Sequence, residues 1–174
     1  MASERRSLEP IRGADRVNRR RLNLRGEFLL ALLPTLIVLA VLALLEVFSR
    51  QRLLFASLAS SAFLIYLDPE HGTNTTRCLV LAHVIASLAG MLIYLVLGAG
   101  YVSGGAAMIV TITAMILLDV VHPPAVATAL SFAFRDESAK TLLLFIMALG
   151  MIAVLVVMQR AAVWLVARLG ITTR

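Results

Sequence analysis

Long apolar runs divided by short polar breaks constrain this chain more tightly than any motif in it. Phe28 to Phe48 is apolar over about 21 residues, enough at 1.5 Å per residue to span a hydrocarbon core of about 30 Å. That run predicts a first transmembrane helix, bent at Pro34. Comparable runs follow at Cys78 to Leu97, Tyr101 to Val121 and Thr141 to Leu169. Two shorter ones, Leu53 to Leu67 and Ala125 to Phe134, measure about 15 and about 10 residues, short for a full crossing. The expected fold is therefore all-α, a polytopic transmembrane bundle of about four full spans and two short half-membrane helices.

With 60% hydrophobic and 15% charged residues, the chain is far more apolar than a water-soluble domain, which carries about 25% charged residues. Its net charge of +6 describes one segment, because eight of the sixteen basic residues (Arg5, Arg6, Arg12, Arg16, Arg19, Arg20, Arg21 and Arg25) precede the first apolar run. The organisation read from this is a basic tail at 1–26 and a transmembrane domain at 27–170. Arginines without interleaved aromatics, and without helix-turn-helix or zinc spacing, read as a cytoplasmic anchor beside anionic headgroups, with no nucleic acid as partner. The tail is too long, and the run after it too extended, for a secretory leader, so the first segment is expected to stay in the protein. An even number of passes then returns the C-terminus to the cytoplasmic side of a plasma or bacterial inner membrane. Arg50 and Arg52 run against that orientation, but long side chains snorkel and the tail outweighs them.

The interior of the bundle is marked by small residues. Ala56 with Ser60 and Ser57 with Ser61 stand at i and i+4, and Ala82, Ala86 and Gly90 recur every four residues beside His83 and Ser87. Such faces pack against other helices or line a pore, and also suit homo-oligomers. The succession of long helix, short helix, charged loop and long helix occurs over 28–97 and again over 101–169, a two-fold internal repeat of the kind transporters use, with the site between the units.

Ionisable residues deep in apolar sequence are Glu46, His83, Asp119 and His122, and each needs a partner or an aqueous cavity. Asp119 and His122 are three apart, a spacing that would place them on one face as a proton-sensitive pair if the segment is helical, which the proline break leaves open; equally, the two groups suit capping of the helix break. Pro123 and Pro124 force that break at His122 and start a new helix at Pro124. The first amides of that helix, on Val126, Ala127 and Thr128, are expected to point back at His122 and attract a small anion such as nitrite. A cation carried instead would use Asp119 and carbonyl ends. His83, with Ser87 one turn on, reads as an interhelical hydrogen bond or as lining of a solute path.

One cysteine, Cys78, offers neither a disulfide nor a thiolate cluster, and no metal or cofactor is expected. Walker, His-Glu-x-x-His and Gly-x-Ser-x-Gly patterns are missing, which argues against an enzyme. Asn74-Thr75-Thr76 fits a glycosylation acceptor, a match common by chance.

The run His122-Pro123-Pro124-Ala125-Val126-Ala127-Thr128-Ala129-Leu130 resembles the HPP family of small integral membrane proteins, named for this tripeptide and commonly continuing Ala-Gly-Ala-Thr-Ala-Leu. Arg77 to Gly90 and Phe55 to Tyr66 are similar to two further family segments, so that the likeness covers about residues 28 to 168. Val126 and Ala82 stand where the family usually has glycine, and serine or alanine replaces its glycines near Ser57 and Ser60. Some members are associated with nitrite transport. The resemblance thus implies passage of a small inorganic anion near His122, Pro123, Pro124 and Thr128, with His83 and Asp119 as further candidates. A non-transporting structural or regulatory membrane subunit is the alternative.

Overall fold

In the computed structural model the described residues are 32, 35–44, 47, 57–135 and 141–168. They contain six α-helices and no strand: α1 (Thr35–Leu44), α2 (Ser57–Leu67), α3 (Thr76–Leu97), α4 (Tyr101–Leu117), α5 (Ala125–Ala133) and α6 (Thr141–Arg168). The arginine tail, the bend at Pro34, Glu46, Arg50, Arg52 and Ala56 lie outside the described residues.

Each boundary has a local cause. Thr75 caps α3 by accepting from the Cys78 amide at 3.3 Å, so the helix starts two residues before the apolar run does. Gly98 and Gly100 turn the chain into α4 with φ of 73° and 152°, conformations that a side chain would strain. At its far end α4 stops at Leu117, four residues short of the expected Val121, because Asp119 adopts a left-handed φ of 53°. The break therefore falls before His122, not at it. Pro124 then caps α5, as the proline pair requires.

Four full spans were expected, but two described helices have the length and apolar composition to cross a bilayer, Thr76–Leu97 and Leu142–Leu165. The 17 residues of α4 reach about 25 Å, and the 11 of α2 and 9 of α5 only about 16 and 13 Å. Both short segments are thus too short to cross a core of about 30 Å as helices.

Contacts fix the directions of the helices. Along α5, Thr128 meets His83, the Ala129 to Phe132 turn meets Gly90, and Arg135 just beyond meets Tyr94, so α5 runs parallel to α3. On α6, Met151 meets Ser57, whereas Gln159 bonds Thr76 and the carbonyl of Pro69, so α6 runs antiparallel to α3. Asn74 ties the C-terminal end of α2 to the start of α3 through the carbonyls of Leu64 and Asp68. The short–long pairs α2–α3 and α5–α6 consequently run in opposite senses across the same bundle.

Two apolar clusters fill the interior. Leu58, Ala62 and Ile65 of α2 pack with Leu144, Met147, Met151 and Leu155 of α6, joined by Val38 of α1. On the other side Ala82 and Ala86 of α3 meet Ala107 of α4 and Ala125, Ala129 and Ala133 of α5. Alanine and glycine on these facing surfaces let backbones approach closely, the packing that membrane helices favour. Outward faces carry Leu92, Val96, Ile109, Ile116, Leu142 and Val157, all exposed.

Candidate functional site

The short helices meet at the centre of the bundle. Ser57, at the start of α2, and Thr128, in the first turn of α5, place their hydroxyl oxygens 2.8 Å apart. Thr128 also lies 2.9 Å from Nδ1 of His83 on α3. On the other side of that ring, Nε2 sits 3.4 Å from the Ser61 hydroxyl, one turn along α2 from Ser57. Ser61 is in turn 2.9 Å from Nε2 of His122, whose Nδ1 is 2.8 Å from the carbonyl of Thr73. Five side chains from four parts of the fold thus form one buried hydrogen-bonded chain.

The direction of the protons follows from its end. A carbonyl can only accept, so Nδ1 of His122 donates to Thr73, and in the neutral ring Nε2 then accepts from Ser61. Ser61 in turn accepts from Nε2 of His83, leaving Nδ1 to accept from Thr128, which accepts from Ser57. Every hydrogen points toward Thr73. An imidazolium at His122 reverses the order: Nε2 donates to Ser61, and the last hydroxyl, on Ser57, turns to the Met151 sulfur 3.8 Å away. The chain therefore has two self-consistent proton arrangements that differ by one proton.

Tight helix packing holds these groups. Gly90 lies against the Ala129 carbonyl and the Phe132 Cβ, which fixes α5 on α3 and Thr128 over His83. The three-residue turn Gly72–Asn74 presents the Thr73 carbonyl, and it is anchored by Asn74, whose Nδ2 donates to Leu64 and Asp68 at 2.9 and 2.7 Å. Asn74 is fully buried, so in the folded protein it is no glycosylation acceptor.

Of the residues singled out from sequence, His83, His122 and Thr128 come together. Pro124 is buried at the head of α5 and Pro123 is exposed beside it. Asp119 does not join His122: it is exposed at the end of α4, and both nitrogens of the buried His122 ring face other partners. Their three-residue spacing would have aligned them only in a continuing helix. The helix-start donors also differ from expectation. Of the three amides expected to be free, those of Val126 and Ala127 donate to the carbonyls of Pro123 and Pro124 at 3.1 Å, as that of Ala125 does to His122 at 3.0 Å, so the turn itself consumes these hydrogens.

Ser61 and Ser57 were visible in the sequence only as members of a small-residue face, and of the other line on that helix Ser60 is exposed. The Thr73 carbonyl carries no residue-type signal at all. Among the described residues no three His, Cys, Asp or Glu side chains converge.

The pattern that sets this geometry, a proline-broken helix held against a His83-bearing span, lies within a stretch that matches the transmembrane region of the HPP family over residues 20–169. The chain belongs to the HPP family. It is accordingly an integral membrane protein, and lipid contacts the apolar outer faces of α3, α4 and α6. No curated protein and no solved structure gave a match.

In this HPP protein the family tripeptide has separable tasks. His122 contributes the ring that closes the polar chain on Thr73, and Pro124 starts the helix that carries Thr128. The two histidine rings stand 5.4 Å apart, centre to centre, tilted by 55°.

Proposed function

We propose that this HPP protein moves a small solute across the membrane, an inorganic anion such as nitrite, at the proline-broken helix and without covalent chemistry. The observation that carries this reading is the buried chain from Ser57 to His122, at the meeting point of two short helices that belong to oppositely running units. Ionisable and polar groups inside a membrane bundle are expensive, and in transporters they mark the path. Imidazole N–H and hydroxyl groups are the donors that a small oxyanion accepts, and a chain able to exist with one proton more or less suits coupling to a proton. The substrate-contacting set is His122, Thr128, His83 and Ser61, with Pro123 and Pro124 shaping the break and Asp119 at its mouth. We further place the protein in the plasma or bacterial inner membrane with both termini cytoplasmic, functioning as a homo-oligomer.

Nitrite influx into proteoliposomes, measured for wild type beside His122→Ala with a pH step across the membrane, tests the proposal. Flux present in the wild type and lost in the folded variant supports it; no flux in either sinks it. One observation favours a second reading, a structural or regulatory subunit. Both histidines have all ring nitrogens engaged within the protein, as a purely structural polar core requires.

A further inference from the structure

Arg135 directly follows the last turn of α5 and is 5% exposed. Its guanidinium carbon stands 3.9 Å from the centre of the Tyr94 ring, near the end of α3. Nε and Nη1 are buried with no hydrogen-bond partner. A guanidinium cannot discharge by losing a proton, and its donors lie in the plane of the fork, where a ring face below cannot accept them. Arg77 makes the contrast: its Nη2 donates to the Leu118 carbonyl at 3.3 Å. A buried cation left this way implies a counter-charge from outside the described residues.

The same end of the bundle holds a second orphan. Ser103, in the first turn of α4, is 1% exposed and its hydroxyl has no partner. That helix begins at Gly100, which supplies no side-chain cap. Phe134 joins the two features, since its ring packs edge-on against Tyr101 at 5.6 Å and abuts Gly104, the neighbour of Ser103. Tyr101 itself is 90% exposed. Tyrosines around a helix end in a membrane protein mark the headgroup level, where phosphate is abundant.

We propose that this end of the bundle binds a phosphate-type oxyanion, with Arg135 as its principal ligand. An arginine fork matches the paired oxygens of a phosphate, and the uncapped start of α4 is favourable to negative charge. The phosphate comes either from an anionic lipid headgroup or from free inorganic phosphate. Nothing in this assignment depends on the transport reading, since it involves none of the residues of the histidine chain.

Thermal unfolding of the full-length protein in neutral detergent tests it, with phosphatidylglycerol, phosphatidylcholine or inorganic phosphate added to wild type, Arg135→Gln and Arg135→Lys. The wild type is expected to gain about 2 °C or more, as ligand binding to the folded state alone requires, and Arg135→Gln to lose most of that gain. A gain with phosphatidylglycerol only identifies the lipid source; a gain with inorganic phosphate only identifies the free ion. Equal gains in wild type and Arg135→Gln, or no gain with any addition, overturn the proposal. Without additions, Arg135→Gln should stay close to wild type in stability, because relief of a buried charge without hydrogen-bond partners offsets the lost contact with the Tyr94 ring. A marked loss there would mean that the chain supplies its own counter-charge, Asp136 and Glu137 being nearest in sequence, and would also overturn it. Native mass spectrometry of bound phosphatidylglycerol in wild type and Arg135→Lys reads the same site without relying on the glutamine variant: fewer bound lipids are expected in the lysine protein, and an equal number counts against the arginine fork.

Discussion

Ser57 and Thr128, each near the start of a short helix, share a hydrogen bond of 2.8 Å although 71 residues separate them. Thr128 is held at the same time by His83, so this one hydroxyl joins α2, α3 and α5. Replacing it with the isosteric valine leaves Ser57 and His83 Nδ1 each short of a partner inside a packed core. Thr128→Val should cost about 1–3 kcal/mol in detergent unfolding, whereas Thr128→Ser should cost less. A double-mutant cycle with Ser57→Ala should return a coupling of about 0.5 kcal/mol or more. Additivity between the two would refute the contact.

Ser61 is the bridge between the two rings, and Ser87 is its control. Ser61→Ala separates His83 from His122 and should destabilise by about 1–3 kcal/mol. It should also reduce any nitrite influx to the level of His122→Ala. The Ser87 hydroxyl donates only to the His83 carbonyl of its own helix, at 2.8 Å, so Ser87→Ala should change stability by less than about 0.5 kcal/mol and leave flux intact. Equal effects of the two alanines would mean that the polar chain has no special role.

Three helical glycines face different surroundings and should respond differently to alanine. At Gly90 a new Cβ meets the Ala129 backbone and lies 2.8 Å from the Phe132 Cβ, atoms that cannot move without shifting α5. Gly90→Ala should therefore cost at least the 1–3 kcal/mol or so typical of overpacking, and move Thr128 off His83. At Gly104 the clash is with the far edge of the half-exposed Phe134 ring, 2.7 Å away, which can rotate at smaller cost. Nothing lies within 4 Å of a Cβ at Gly105, so Gly105→Ala should stabilise by about 0.5–1 kcal/mol. Thermal unfolding of the series checks the order.

The sequence disclosed the interior more readily than the geometry within it. Apolar runs located α3 and α6 because a membrane requires length and continuity, and the proline pair located the start of α5 because backbone chemistry leaves no other choice. His83, His122 and Thr128 stood out as polar groups in apolar surroundings. Their partners did not, since Ser61 looks like any small residue and a carbonyl such as that of Thr73 has no residue-type signature. The Asp119–His122 pairing failed for a specific reason. A three-residue spacing implies a shared face only while the helix continues, and α4 ends at Leu117. The amides of Val126 and Ala127 at the start of α5 were expected to be free, but tight turn bonds to the carbonyls of Pro123 and Pro124 satisfied them first.

Asn74 stands outside the polar chain but sets its terminus. Its two bonds to the carbonyls of Leu64 and Asp68 hold the turn that presents Thr73 to His122. Asn74→Ala removes one of the two donors at each carbonyl, Leu64 still accepting from the Asp68 amide at 3.0 Å and Asp68 from the His71 amide at 3.3 Å, and a cost of about 1 kcal/mol is expected. Asn74→Asp retains the shape but replaces the donating amide with an acceptor facing two acceptors, so it should be at least as damaging. If aspartate were tolerated and alanine were not, shape and not hydrogen bonding would be holding the turn.

Asp119 separates conformation from charge. Its φ of 53° is a region that asparagine enters as readily as aspartate, whereas a β-branched side chain does not. Asp119→Asn should therefore keep the backbone of the turn, whereas Asp119→Val should lower stability by about 1–2 kcal/mol relative to Asp119→Asn. Because the asparagine variant keeps the turn, its transport phenotype reports the carboxylate alone. If the solute is an anion accepted by His122, Ser61 and Thr128, nitrite influx through Asp119→Asn should persist or rise, since a negative charge at the mouth of the break has been removed. Loss of nitrite influx in this well-folded variant would require the carboxylate itself in the path, and collapse of a cation flux with nitrite flux unchanged would transfer the assignment to a cation.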